Sequence, residues 1–307
     1  MTKILVLGDV MLDIFTQGKS IRTSPEAPVP VVHSIQESLY CGGAANLALN
    51  VDGLGNEVQL LAAVSDDEYG LKFQKMCESS NLEIVLISVL GTTVKNRIFV
   101  NSNHHLRIDK DYILSLAEAI SYRECAKSNL EEGGCLIYSD YAKGTNTYIQ
   151  DVFLLAKSLN NTIFVDPKSN DWEMYRGVDF ITPNLREIEL QIGTWTDDLS
   201  SIQKCLKLLE KYHIQCVVIT RGERGATAIT RNGEVFNAPG IRVNVAELSG
   251  AGDSFLASFA FHYLNHRDLE KGLVFANMQA SKAVSREGIS VVKAPLFGDL
   301  QDRNFDE

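Results

Sequence analysis

Short apolar runs alternate with amphipathic stretches of helical length along most of the chain, and few architectures accept that order. Strand-like runs occur at Ile4–Leu7, Val58–Ala62, Ile84–Val89, Cys135–Tyr138, Thr162–Val165, Phe180–Thr182 and Val217–Thr220. Helical stretches at Ala44–Leu54, Tyr69–Ser79, Leu114–Leu130, Thr147–Leu159 and Ser201–Tyr212 lie between them. Such alternation implies βαβ units, hence a mostly parallel sheet with helices on both faces. Ligands of these sheets bind beyond the carboxyl ends of the strands. Polar residues that follow strands are therefore the first candidates for a site.

Two segments break the pattern. Residues 14–39 include Arg22-Thr-Ser-Pro-Glu-Ala-Pro-Val-Pro-Val-Val32, too proline-rich for a helix and too β-branched for a plain loop. Residues 92–109 alternate like a strand pair around a polar turn. Together they are expected to pair into a small sheet over the site, a lid of the kind that keeps water from a transfer reaction. No linker, low-complexity tract or internal repeat divides the 307 residues, so a single domain is expected.

The formal net charge of −10 argues against a broad nucleic-acid or anionic-membrane surface, though local cations can still hold a small anion. No apolar run approaches the roughly 20 residues of a membrane span. Lys3–Asp9 has the look of a short buried strand, not of a signal peptide. Cysteines at 41, 77, 125, 135, 205 and 216 form no Cys-x-x-Cys pair and no Cys/His cluster. They are read as buried thiols in a reducing compartment, and a cytoplasmic protein is expected.

Chemistry concentrates at Glu247-Leu-Ser-Gly-Ala-Gly-Asp-Ser-Phe-Leu-Ala-Ser-Phe-Ala260, a glycine-rich turn opening an apolar helix. Free amides at the helix start, from Gly250, Ala251 and Gly252 onward, favour a phosphate. Asp253 would repel that phosphate and needs its own reason. Either it is a general base for an attacking hydroxyl, or it only complements the helix dipole. From the turn alone both readings stand.

Four further motifs precede this turn: Gly8-Asp-Val-Met-Leu-Asp13, Cys41-Gly-Gly-Ala-Ala-Asn46, Asn184-Leu-Arg-Glu187 and Thr220-Arg-Gly-Glu-Arg-Gly225. In content and order the five resemble the PfkB (ribokinase-like) family of sugar kinases over nearly the whole chain. Ser24–Val32, Ser139-Asp-Tyr-Ala-Lys-Gly144, Val165-Asp-Pro-Lys168, Tyr175–Gly177 and Thr182–Leu185 are similar to its heptose 7-phosphate kinase branch, found also as the kinase half of bifunctional ADP-heptose synthases. The His-x-Gly-His motif of their nucleotidyltransferase half is absent, so a kinase alone is expected. Glu247-Leu248-Ser249 departs from the family's usual Asp-Thr-Thr, which bears on cation details more than on the intact catalytic turn.

The resemblance implies a ribokinase-like three-layer α/β sandwich with a small β lid, and ATP and Mg²⁺ as cofactors. The implied reaction is phosphoryl transfer from ATP to C1 of heptose 7-phosphate, giving the 1,7-bisphosphate for ADP-heptose and lipopolysaccharide precursors. Asp253 would be the base, with the Gly250–Gly252 amides steadying the transferred group. Asp13, Gly42, Gly43 and Asn46 would hold the sugar; Asp13 is read as ending the first strand. Lys95, Arg97 and Arg107, spaced to share a strand face, and Lys143 and Lys168 would meet the sugar's phosphate. Asp140 would bind a hydroxyl or orient Lys143. Asn184 and Glu187 would organise Mg²⁺ through water, although the pair fits a capping box equally well. Thr220, Gly222, Gly225 and Asn277 would line the nucleotide site, and a homodimer through the lid is expected. Rival readings are a PfkB kinase for another sugar, a nucleoside kinase, or a non-catalytic sugar- or nucleotide-binding module. A dinucleotide-binding reading fails for want of Gly-x-Gly-x-x-Gly after Gly8.

Overall fold

A computed structural model describes residues 3–293 except 79, 102 and 287. Ser79, the expected end of the second helix, and position 102 of the second lid segment lie outside the described residues. From the N-terminus run β1 (Ile4–Gly8), β2 (Val10–Thr23), β3 (Pro30–Gly43), α1 (Ala44–Gly53), β4 (Val58–Val64), α2 (Glu68–Cys77), β5 (Glu83–Ser88), β6 (Val94–Val100), β7 (Asn103–Lys110) and α3 (Leu116–Ser128). There follow β8 (Cys135–Ser139), α4 (Ile149–Ser158), β9 (Thr162–Asp166), β10 (Phe180–Ile181), α5 (Leu185–Ile192), α6 (Leu199–Tyr212), β11 (Cys216–Thr220), β12 (Ala226–Thr230), β13 (Val235–Ala238), α7 (Ala251–His266) and α8 (Leu269–Val284). Among the described residues no helix is long and apolar enough to cross a membrane.

Nine strands form the main sheet in the order β13-β12-β11-β10-β9-β8-β1-β4-β5. Pairing is parallel from β5 to β11 and antiparallel at β12 and β13. The sequence reading lacks that last hairpin. Too few residues separate Thr220 from Ala226 for a crossover helix, so β12 can only return alongside β11.

Strand alternation divides the core into two layers. Ile4 and Val6 pack with Leu47, Ala48, Phe255 and Phe259 of α1 and α7. Leu5 and Leu7 face the other way, into a layer holding Tyr122, Phe153, Ile188 and Leu209 of α3, α4, α5 and α6. The result is the expected three-layer sandwich.

A second sheet has the order β3-β2-β6-β7. Its strands come from the two irregular segments: β2 pairs antiparallel with β3 and parallel with β6, and β6 pairs antiparallel with β7. The chain leaves the main sheet directly after Gly8, and β2 already starts at Val10. Asp13 therefore lies inside β2 rather than at the end of the first strand, opposite Tyr40 on β3 and Lys95 on β6.

Candidate active site

Helix α7 begins at the carboxyl edge of the main sheet, capped by Gly250 in a left-handed conformation, φ 82°. A Cβ there would also lie 2.6 Å from Asn46 Nδ2, so both backbone and space require glycine. At Gly252 an added Cβ would meet nothing within 4 Å, so the first turn is open to a ligand there, although the Ala251 N–H already donates to Leu248 O at 3.3 Å. Asp253 follows, 5% exposed.

Asn46 Nδ2 donates to Asp253 Oδ2 at 2.7 Å, while the Tyr141 hydroxyl stands 3.5 Å from Oδ1. The Asn46 amide is itself oriented, because its Oδ1 accepts from Asn50 Nδ2 at 3.2 Å. Burial pushes the Asp253 carboxyl up to about 6, against the pull of the Asn46 hydrogen bond. Near neutrality it is still mostly ionised, in the range where a carboxylate serves as a general base.

On the lid side, Asp13 is buried and accepts from the Arg97 guanidinium. Burial raises its carboxyl, and the Arg97 charge pulls it back. A Cβ on Gly42 would come within 2.0 Å of Asp13 Oδ2, so the carboxylate rests directly on that stretch of backbone beside Gly43. The expected face-sharing of the lid cations holds, since Arg97 sits opposite Arg107 and Lys95 opposite Asp109.

Their partners divide them. Arg97 is spent on Asp13 and packs over Phe15 at 5.1 Å, Arg107 pairs with Asp109 at 2.8 Å, and Lys143 with Asp111 at 2.6 Å. Lys95 has no ion pair among the described residues, and its ammonium lies 5.0 Å from the centre of the Tyr141 ring. Burial lowers its pKa.

Two of the sequence expectations need correction here. Asp140 does not orient Lys143. Its carboxylate accepts from the Tyr175 hydroxyl and from the backbone N–H of Ala142 at 2.7 Å and Ser169 at 3.3 Å. Lys168 also stands apart from the lid cations, pairing with Glu187 Oε1 at 3.3 Å.

A cavity of about 170 Å³ lies where these strands end, lined by Tyr141, Asp166, Lys168, Asn184, Glu187 and Gly252, with Asp140 and Thr220 also on its wall. Asn184 caps α5 in a full capping box: its Oδ1 accepts from Glu187 N at 3.0 Å, and Glu187 Oε2 accepts from Asn184 N at 2.9 Å. The structural reading of that motif is thus observed, and Glu187 still turns its other oxygen to the cavity cation Lys168. Asp166, at the end of β9, is absent from the candidates drawn from the sequence. Burial, with Glu187 and Asp253 nearby, holds its carboxyl well above the usual range.

Asp9 is likewise absent from those candidates. Its carboxylate accepts from the N–H of Tyr141 at 2.8 Å, Lys143 at 3.1 Å and Thr145 at 3.3 Å, and from the Thr145 hydroxyl at 2.7 Å. One buried acid after β1 therefore holds most of the loop after β8, with Asp140 taking the Ala142 N–H between its contacts. Its place between Gly8 and Val10, directly after a strand, was the available signal.

A second cavity, of about 370 Å³, is lined by Gly222, Arg242, Val243, Leu248, Ala251 and Asn277. Asn277 Nδ2 bonds the carbonyls of Ala238 at 3.2 Å and Pro239 at 3.3 Å. Gly225 closes the turn behind it through a bond to Gly222 O at 3.0 Å. The expected nucleotide residues thus divide between two cavities, Thr220 in the first and Gly222 and Asn277 in the second, with the start of α7 between them.

The sequence model of the pfkB family carbohydrate kinases matches residues 1–294. Among curated proteins, the bifunctional protein HldE of Haemophilus influenzae is 34% identical over 292 residues, covering 94% of this chain and 61% of that protein. HldE of Pasteurella multocida is 35% identical over 292 residues with the same coverages, 94% and 61%. The chain thus spans about three-fifths of the length of the curated relatives it matches. Among solved structures, phosphofructokinase-2 from Escherichia coli in complex with potassium superposes with a TM-score of 0.79 at 16% identity, covering 95% of this chain and 96% of that one. Its tetrameric inhibited form gives a TM-score of 0.77 at 15% identity, covering 92% and 94%. A microbiome-derived acarbose kinase gives 0.72 at 18% identity, covering 94% of each chain.

Proposed function

This chain belongs to the pfkB family of carbohydrate kinases, ATP-dependent enzymes, and from that premise we propose that its acceptor is a sugar phosphate, heptose 7-phosphate, phosphorylated at C1. The observation that carries the reading is the pairing of buried Asp253 with an open first turn of α7, next to a lid sheet whose Lys95 has no ion pair among the described residues. A desolvated ammonium with no carboxylate in ion-pair contact, held only by the longer-range pull of Asp13 and Asp109, favours an anion brought by the ligand. Arg107 and Lys143 can exchange Asp109 and Asp111 for the same phosphate. The likeness of Ser24–Val32 and Ser139–Gly144 to the corresponding segments of heptose 7-phosphate kinases supports heptose over other sugars.

In this reading Asp13 accepts from sugar hydroxyls beside Gly42, Gly43 and Asn46. Asp253 Oδ1 takes the proton of the C1 hydroxyl as that oxygen attacks the γ-phosphorus of ATP and ADP departs. The first amides of α7, from Gly250, Ala251 and Gly252 onward, steady the charge on the transferred group. Nucleotide occupies the cavity of Gly222 and Asn277 and extends its phosphates past α7 toward Thr220.

Among the described residues, no cluster of three or more His, Cys, Asp or Glu side chains is built to hold a metal alone. Asp166 and Glu187 on one cavity wall suit Mg²⁺, which keeps water and phosphate in most of its coordination sphere. Bound there, it would neutralise phosphate charge. Exposed Ile21, Ile35, Leu106 and Ile108 on the lid sheet support a homodimer through that sheet, and six free cysteines are in keeping with a cytoplasmic protein.

ADP release should be measured over a panel of sugar phosphates and free sugars. Heptose 7-phosphate should exceed free hexoses and pentoses by about 10²-fold or more in kcat/KM. Equal turnover of ribose or fructose would overturn the substrate assignment and leave only the family. Asp253→Asn should lower kcat by about 10²-fold or more with ATP binding retained.

A further inference from the structure

Tyr141 stands outside the candidates drawn from the sequence, yet three parts of the fold converge on it. Its N–H is fixed by Asp9 Oδ2 at 2.8 Å, its ring lies 5.0 Å from the Lys95 ammonium, and its hydroxyl is 3.5 Å from Asp253 Oδ1. Asn46 occupies the other Asp253 oxygen, so Tyr141 faces the one left for the acceptor's proton. Burial, together with the Asp253 charge, pushes the phenol well above its ordinary value. It stays protonated at any working pH and can only donate toward the carboxylate.

Resting on the reading of Asp253 as the base, we propose that Tyr141 is a positioning residue with two jobs: its hydroxyl orients the Asp253 carboxylate and keeps it ionised, and its ring seats Lys95 beside the acceptor. A separation of 3.5 Å is long for a hydrogen bond, but such contacts commonly tighten only with substrate in place. A cation over an aromatic face gains more when desolvated, as Lys95 is here. One side chain then links lid strand β6 to helix α7. The ring offers its seat to Lys95 only where β6 and the loop after β8 approach each other.

The other groups facing Asp253 are fixed and known. Asp13 on β2 and Asp166 at the end of β9 oppose its ionisation, Lys95 on β6 favours it, and Asn46 on α1 donates to it. Losing the Tyr141 donor leaves that balance less favourable to the carboxylate.

Tyr141→Phe keeps the ring and removes the donor. The acid limb of kcat/KM against pH should move up by about half to one unit, with the acceptor KM at high pH unchanged. Tyr141→Leu removes the ring as well and should raise the acceptor KM about tenfold without changing the KM for ATP. Lys95→Met should reproduce that KM change, and combining it with Tyr141→Leu should add little. An unmoved acid limb in Tyr141→Phe overturns the hydroxyl's role. Additive effects of Tyr141→Leu and Lys95→Met, or an acceptor KM unmoved in Tyr141→Leu, overturn the ring's. Asp253→Asn run in parallel separates the causes. If it is inactive while Tyr141→Phe behaves as wild type, the failure belongs to this inference; if it is active, the base assignment falls and takes this inference with it.

Discussion

Asn46 and Asp253, 207 positions apart in the chain, meet in a buried hydrogen bond of 2.7 Å from amide Nδ2 to carboxylate Oδ2. It joins the start of α1 to the start of α7. Because the donor favours the charged carboxylate, it opposes the burial that raises the pKa to about 6. Asn46→Leu removes the donor, so the pKa should rise and the acid limb of the rate profile should shift upward. Turnover at pH 7 should drop by about tenfold, and partial recovery at pH 8.5 to 9 should distinguish this from misfolding, on the general-base dependence of rate on the ionised fraction.

The same shift makes a stability prediction. The folded carboxyl titrates at about 6, against 3.8 for an unperturbed aspartate. Between those values the folded protein binds more protons than the unfolded chain, so this residue's contribution to stability falls as pH rises through the window. Asp253→Asn cannot ionise. Its melting temperature should match or exceed wild type at pH 7, with the gap closing toward pH 4, as thermal melts across that range can check.

Asp9 supports the site from beneath. Replacing it with Ala strips the N–H groups of Tyr141, Lys143 and Thr145, and the Thr145 hydroxyl, of their shared acceptor. The cost should be roughly 2–4 kcal/mol, from buried donors left unmet. Denaturant titration should show it as a lower midpoint at constant slope. The acceptor KM should rise as well, since Lys143 and Tyr141 share that loop. A stable variant with wild-type KM would mean the loop is held elsewhere.

If residues 14–39 and 92–109 act as one lid, substrate should order them together, because their strands are hydrogen-bonded into one sheet. Amide exchange with and without sugar phosphate and a non-hydrolysable ATP analogue measures this. Protection confined to one segment would rule out a lid that closes as a unit.

The site was only partly legible along the chain. Asn184 and Glu187 could be read as a capping box or as ligands, and they form the box with one Glu187 oxygen still facing Lys168. Nothing local separates such readings, because a side chain with two oxygens can serve both. Asp9 and Asp166 looked like other acids at strand ends. What sets them apart is a loop from elsewhere wrapped around one, and neighbouring acids brought in by other strands around the other.

The sequence by itself determined the element order up to β11 and the placing of helices on both faces of the sheet, but not the β12–β13 hairpin, since periods of 2 and 3.6 in side-chain polarity are local properties. It also determined that a glycine turn and Asp253 open one helix. Only the tertiary structure decided which charges are spent. Arg97, Arg107 and Lys143 are alike as charges in the sequence, yet Asp13, Asp109 and Asp111 pair with them, while Lys95 has no ion pair among the described residues and packs over the ring of Tyr141. Coulombic attraction and desolvation depend on separations of a few ångströms and on what excludes water, and those are fixed when distant segments pack, not along the chain.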